Sequence, residues 1–142
     1  MMISTRGRYA LRVMVDLAEH QDESYIPLKD IAARQEISEK YLETILPVLI
    51  KHSYLTGLRG KGGGYRLSRP PESYTVGSVL KLVENSIVPV ACLEDDVNQC
   101  SRASECRTLP MWQKLNEIVN DYFEGITLAD LCKDVSENGY KV

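Results

Sequence analysis

The sequence predicts a mainly α fold carrying one small β-hairpin and a long C-terminal helix. Three observations carry this: two short amphipathic segments separated by a brief break at Gln35-Glu36-Ile37, a glycine-rich tip between two short alternating runs just behind them, and a periodic apolar stretch near the C-terminus. At 142 residues, 44% of them hydrophobic, the chain is long enough for one good core.

The first helix begins at an N-cap, Ser4 or Thr5, and its apolar residues Tyr9, Ala10, Val13, Met14 and Leu17 recur at helical spacing. After the polar turn 21–24 and Ile26-Pro27, residues Leu28, Ile31 and Ala32 give a short second helix one apolar face. Ser38 then caps a third helix that buries Leu42, Ile45, Leu46 and Leu49. Two short helices joined this way form a helix-turn-helix. At about 100° per residue, the side of the third helix away from its buried stripe carries Lys40, Glu43, Thr44 and Lys51, with Tyr41 at the flank. Pro47 removes one backbone bond and is expected to kink the C-terminal half.

Residues 54–59 and 65–68 alternate around Gly60-Lys61-Gly62-Gly63-Gly64 and read as a β-hairpin. A hairpin directly behind a recognition helix is a wing. Its glycines let the tip approach a phosphate backbone or enter a minor groove, while Arg59 and Lys61 supply charge. The rival is a nucleotide-binding loop, but that motif needs Gly-x-x-x-x-Gly-Lys-Ser/Thr opening a helix, and here a strand follows.

Pro70-Pro71 closes the wing, and Thr75 caps a fourth helix with the stripe Val76, Val79, Leu80 and Val83. Residues 85–91 read as an extended connection and 92–108 as a polar, cysteine-bearing loop without periodicity. Pro110 suits the first turn of a longer helix in which Trp112, Leu115, Val119 and Tyr122 repeat at three-four-three spacing, beside Ile118 and Phe123. Such a seam needs a partner. Operators are usually read by two-fold dimers, so these four residues are expected to form a homodimer interface, with packing inside one chain as the alternative. Thr127-x-x-Asp130 starts a short last helix with Leu128 and Leu131, and 136–142 read as a frayed end. The chain is thus expected to form one globular unit: a winged helix-turn-helix over 1–84, a cysteine-bearing loop over 85–109, and a dimerisation helix with its tail over 110–142.

The net charge of −3 hides an asymmetry, since residues 1–69 carry +3 and 70–142 carry −6. No acidic residue lies between Thr44 and Pro71, where Lys51, Arg59, Lys61, Arg66 and Arg69 all stand. That is the footprint a phosphate backbone selects, although a solvated basic loop would look the same in isolation. Arg6, Arg8, Arg12 and Asp16 interrupt the apolar residues of 1–20, so no signal peptide is expected, and no stretch approaches a membrane span. A cytoplasmic protein with reduced thiols and no membrane partner follows as the expectation.

Four stretches, Ile3-Ser4-Thr5-Arg6-Gly7-Arg8-Tyr9-Ala10-Leu11-Arg12, Tyr41-Leu42-Glu43, Arg59-Gly60-Lys61-Gly62-Gly63-Gly64-Tyr65 and Ile126-Thr127-Leu128-Ala129-Asp130-Leu131, resemble the Rrf2 family of bacterial transcription regulators, with its IscR-like, NsrR-like and CymR-like branches. The resemblance runs from Met2 to about Asp134. It implies a homodimer that binds a palindromic operator in duplex DNA, with repression as the expected outcome. It carries the recognition helix over as Ser38, Glu39, Lys40, Tyr41, Glu43 and Thr44, and the wing as Arg59, Lys61, Gly62, Gly63 and Tyr65. It also gives Glu43 a part in choosing between operator classes, which suits a carboxylate able to accept from a cytosine amino group.

Cys92, Cys100 and Cys106 are spaced Cys-x7-Cys-x5-Cys, at the place where cluster-binding members of the family carry three ligands. The resemblance therefore implies an iron-sulfur cluster of the 2Fe-2S kind, and soft thiolates on a loop that coordination can order suit iron. Zinc is the weaker reading because no Cys-x2-Cys knuckle is present. The fourth ligand departs from the family pattern: the IscR-like histidine position is Leu109, and the NsrR-like aspartate position is Arg8. Glu94, Asp95, Asp96, Glu105, Cys132 or an N-terminal group of the other subunit are the remaining candidates, while His20 and His52 read as ordinary surface residues of the DNA-binding half. Without a cluster, the same cysteines would sense oxidants or thiols directly, or the protein would act through a partner enzyme of cysteine synthesis as CymR-like members do.

An enzyme is not expected, for there is no nucleophile elbow, no His-Glu-x-x-His and no dinucleotide fingerprint opening a helix. An iron-sulfur carrier that does not bind DNA is the remaining rival, and it would need no basic wing.

Overall fold

The computed structural model describes residues 2–22 and 24–133, and the expectation for 136–142 lies outside them. Ser4 caps α1 (Thr5–Glu19) by accepting from the Gly7 amide, and α1 turns Ala10, Val13, Met14 and Leu17 into the core. α2 (Leu28–Gln35) follows, and the chain then passes through Glu36 at φ 53 before Ser38 caps α3 (Glu39–Lys51). The four residues expected to be buried on α3 are its four buried residues, and the helix runs on through Pro47 to Lys51. Together with Ile31, Leu55, Tyr74, Val79 and Leu128 these side chains make one continuous core.

β1 (Leu55–Leu58) and β2 (Gly64–Leu67) pair antiparallel, with Leu55 opposite Leu67 and Leu58 opposite Gly64. The hairpin gains a third, one-residue strand at Ile26, whose amide donates to the Tyr65 carbonyl at 2.9 Å and whose carbonyl accepts from the Tyr65 amide at 2.9 Å. The wing is therefore fastened to the segment between α1 and α2, a non-local pairing that two-residue alternation does not reveal. Tyr74 fastens its other side. Fully buried, it donates to the Tyr54 carbonyl at 2.8 Å, accepts from the Arg69 amide at 3.0 Å and meets the Tyr54 ring edge-on.

Thr75 caps α4 (Val76–Val83) through the Ser78 amide. After the segment 84–108, which contains two single 3-10 turns, α5 (Leu109–Glu124) leads to α6 (Leu128–Leu131). α6 opens on a complete capping box: Thr127 accepts from the Asp130 amide and Asp130 from the Thr127 amide. The residues before α4 and α6 form an antiparallel bridge, with the Val76 amide on the Ile126 carbonyl and the Leu128 amide on the Tyr74 carbonyl, so the end of α5 is tied to the start of α4.

Among the described residues one charged side chain, that of Asp16, enters the core. Asp16, 1% exposed, accepts two bonds from Arg34, at 3.0 and 2.7 Å, and one from Gln35 at 2.9 Å, which pins α2 on α1. Burial pushes its carboxyl up, but the Arg34 and Gln35 hydrogen bonds and the charges of Arg34 and His20 outweigh it and hold the group below its usual range. A lowered folded pKa means that this stabilisation is complete above the unfolded value, about 3.9, and disappears as pH falls through the folded one. Asp16→Ala should cost about 3 kcal/mol in urea denaturation at neutral pH, because Arg34 and Gln35 lose their acceptor. The gap to wild type should narrow below about pH 4. A pH-independent gap would mean that the charge is not what stabilises the contact.

Candidate nucleic-acid interface and cysteine loop

α2 and α3 pack as the two arms of a helix-turn-helix, and the outer face of α3 is open. Glu39, Lys40, Glu43 and Thr44 are exposed there, as is Ser38 at the cap, where its hydroxyl accepts from the Tyr41 amide at 3.1 Å. The Thr44 hydroxyl donates back to the Tyr41 carbonyl at 2.7 Å, so it is turned onto the helix, while Glu39, Lys40 and Glu43 are exposed charges on this face. Tyr41 is half-buried and meets the ring of Tyr9 edge-on, 5.4 Å between centroids, which anchors the recognition helix on α1. From the first turn of α1, Arg6 donates to the Thr44 carbonyl at 3.2 Å.

The wing projects beside α3. Arg59 and Lys61 are exposed at its tip, and Gly60 and Gly62, at φ 90 and 76, have open space where a side chain would stand. Gly63 is half-buried, and Tyr65 is held through its main chain by Ile26. Of the other basic residues, Arg66 lies over the Tyr25 ring at 4.5 Å and Arg69 over the Tyr74 ring at 4.5 Å, so aromatic faces orient both. Between the wing and the C-terminal half of α3 lies a groove of about 740 Å³, lined among others by Pro47, Ile50, Leu58 and Tyr65. The glycine-rich turn joins two strands, which removes the nucleotide-loop reading.

In the segment between α4 and α5, Cys92 and Cys106 are half-exposed and Cys100 is exposed, all as free thiols. The Thr108 hydroxyl, 3.5 Å from the Cys106 sulfur, with the Thr108 and Leu109 amides and the Arg102 charge, holds the Cys106 thiol below the ordinary cysteine range. Cys132, a candidate fourth ligand, stands instead beside Glu19 and Glu72, where burial and the two carboxylates push its thiol up. Among the described residues no three His, Cys, Asp or Glu side chains stand together closely enough to hold a metal ion. The donor set suits a cluster, but this loop conformation does not form its nest.

Residues 3–134 match the family described as Rrf2, iron-dependent transcriptional regulator. The chain belongs to the Rrf2 family. It is 36% identical over 134 residues to the HTH-type transcriptional regulator IscR of Vibrio campbellii, covering 94% of this chain and 79% of that one. Among solved structures it resembles CymR, the global cysteine regulator of B. subtilis, with a TM-score of 0.77 and 31% identity over 94% of this chain and 99% of that one. It also resembles T. potens IscR, with a TM-score of 0.76 and 34% identity over 100% of this chain and 93% of that one. This Rrf2 protein is thus a DNA-binding transcription regulator with the winged-helix fold of its relatives, and among its described residues no helix is long and apolar enough to cross a membrane.

Sequence reading missed several residues that set the Rrf2 interface. Arg6 was legible as a charge and as family motif, and Tyr9 as part of the apolar stripe of α1, but neither as a tie to α3, which they fasten to α1. Ile26 and Tyr74 fasten the wing, and nothing in their local pattern signals it.

Proposed function

We propose that this Rrf2-family regulator works in the cytoplasm as a homodimeric repressor on a palindromic operator, reading redox, iron-sulfur or sulfur status through the loop of Cys92, Cys100 and Cys106. The observation that carries the DNA-binding geometry is the pair of open surfaces on α3 and the wing, where Lys40 and Glu43 on the helix and Arg59 and Lys61 at the wing tip are all exposed and the wing itself carries no acidic residue. Glu43 reads bases, Arg59 and Lys61 hold phosphates, and Tyr41 supports the helix from behind. Lys61→Ala should weaken binding to every duplex and lower the salt slope by about one, whereas Glu43→Ala should reorder the preference among operator variants with little change in salt slope. The opposite pattern in anisotropy titrations would overturn these roles.

A bare helix supports the dimer. α5 buries none of its residues in this chain, and Met111, Leu115, Ile118 and Tyr122 are 53%, 36%, 53% and 53% exposed in a four-three-four stripe. Trp112 and Val119 are half-buried and flank that stripe, so the interface proposed here centres on Leu115 and Tyr122 with Met111 and Ile118 added.

Two chemistries suit the cysteine loop. A 2Fe-2S cluster is favoured by the three thiols and by the IscR relatives, and it would require the loop to refold around it. Direct thiol chemistry, or an enzyme partner of sulfur metabolism, is favoured by the acidified Cys106 and the likeness to CymR. Protein purified without oxygen decides between them: visible charge-transfer bands with matching iron and sulfide assign the cluster, and a colourless, iron-free protein assigns the thiols.

A further inference from the structure

Two helices of this chain begin in the same unusual way, with a hydroxyl cap, a glycine in the first turn and a remote carboxylate filling the space the glycine leaves. At α1, Glu84 accepts from the Ser4 amide at 2.9 Å and from the Ser4 hydroxyl at 2.8 Å, across 80 residues of sequence. A Cβ on Gly7 would collide with that carboxylate and stand only 3.0 Å from its carboxyl carbon. At α4, Glu124 accepts from the Thr75 hydroxyl at 2.8 Å and from Lys81 at 2.9 Å, and a Cβ on Gly77 would stand 2.8 Å from its carboxyl carbon.

These contacts lie in series. Glu124 is the last residue of α5 and holds the start of α4; Glu84 ends α4, opens the cysteine-bearing segment and holds the start of α1. α1 then reaches both arms of the helix-turn-helix, through Arg6 on the Thr44 carbonyl and through Arg12 on the Gln35 side chain at 3.2 Å. We propose that Glu84 and Glu124 are positioning residues for operator binding, two carboxylate struts that fix the winged head on α5 and so fix the distance between the recognition helices of a dimer. The Lys81–Glu124 pair is 49% and 42% exposed, so its contribution to stability is small and its contribution to geometry is what remains. Half-sites about 34 Å apart demand that geometry, because a small rotation where α5 meets α4 is magnified along the head. Glu84 also stands where a change in the cysteine segment reaches α1 first.

The inference rests on the homodimer reading, and its test separates the two. Full-length wild type, Glu84→Ala, Glu84→Gln, Gly7→Ala and Glu124→Ala would be titrated against a two-fold duplex selected from random sequence for wild-type binding. Two further duplexes would have the half-sites moved by one base pair inward or outward, and a fourth would hold a single half-site. Glu84→Ala and Gly7→Ala should each lose about tenfold on the native spacing, lose nothing on the single half-site and flatten the preference for spacing. Glu124→Ala should act in the same direction, and Glu84→Gln, which keeps an acceptor for Ser4, should recover most of the loss. Unchanged spacing preference in a variant that sediments as a dimer overturns the struts alone. Equal losses on the half-site and the full operator, with a lowered Tm, also overturn them, because the carboxylates then only help the head to fold. A wild type that sediments as a monomer overturns the dimer reading and the struts with it.

Discussion

Ile118→Glu is expected to turn the protein into monomers and to lower its affinity for a two-fold operator by a hundredfold or more. Ile118 lies in the middle of the exposed stripe of α5 and is 53% uncovered in one chain. In a two-fold dimer the same patch meets itself, so the substitution places two carboxylates close to the axis, in surroundings where neither finds a partner. Binding of the second head would then no longer be intramolecular, and linkage of two half-site contacts is worth about 10² to 10⁴ in affinity. Sedimentation and anisotropy titration read the two effects separately. Glu117→Gln is the control, because Glu117 stands about 130° around the helix from the middle of the stripe, 59% exposed and paired with Lys114. A dimer that survives Ile118→Glu with wild-type affinity would mean that another surface joins the subunits.

Features of this fold that depend on a few neighbouring residues were legible in the sequence. Ser4, Ser38, Thr75 and Thr127 cap their helices as the sequence suggested, because a cap needs only a hydroxyl and an amide two or three residues on. The buried faces of α1 and α3 were legible for the same reason, through helical period. The orientation of α5 was harder to read. Its spacing pointed to Trp112, Leu115, Val119 and Tyr122, whereas contact with α4 at one end leaves Met111, Leu115, Ile118 and Tyr122 facing outward. Which edge of a broad apolar stripe stays open is set by the neighbour, and sequence period does not contain the neighbour. Long-range polar links were invisible for a related reason: Asp16 with Arg34, Glu84 with Ser4 and Ile26 with Tyr65 each join residues whose local surroundings look ordinary. The cysteine loop has no period at all, so its thiols were placed by motif, and their exposure came only from the structure.

Gly64→Ala should be the most damaging single-methyl change in the DNA-binding half. Gly64 sits at φ 146, where a side chain is strained, and a Cβ there would press into the Ile26 carbonyl while standing 2.7 Å from the Pro27 nitrogen. Neither neighbour can yield as a flexible side chain would, since both are backbone and the Ile26 carbonyl is accepting from the Tyr65 amide. Relief requires the hairpin to leave Ile26, which breaks two backbone hydrogen bonds at about 1 kcal/mol each in addition to about 1 to 3 kcal/mol of backbone strain. A loss of about 3 to 5 kcal/mol in urea denaturation is expected. The wing that remains would be detached, so operator affinity should fall even under conditions where the head is folded. Gly62→Ala separates the two contributions. It shares a positive φ, 76, but has nothing within 4 Å of its added carbon, so only the conformational cost of about 1 kcal/mol applies and the wing should stay docked. If the two variants proved equally mild, the Ile26 pairing would not be what holds the wing beside α3, and the charge of Arg59 and Lys61 would have to be positioned from the β1 side alone.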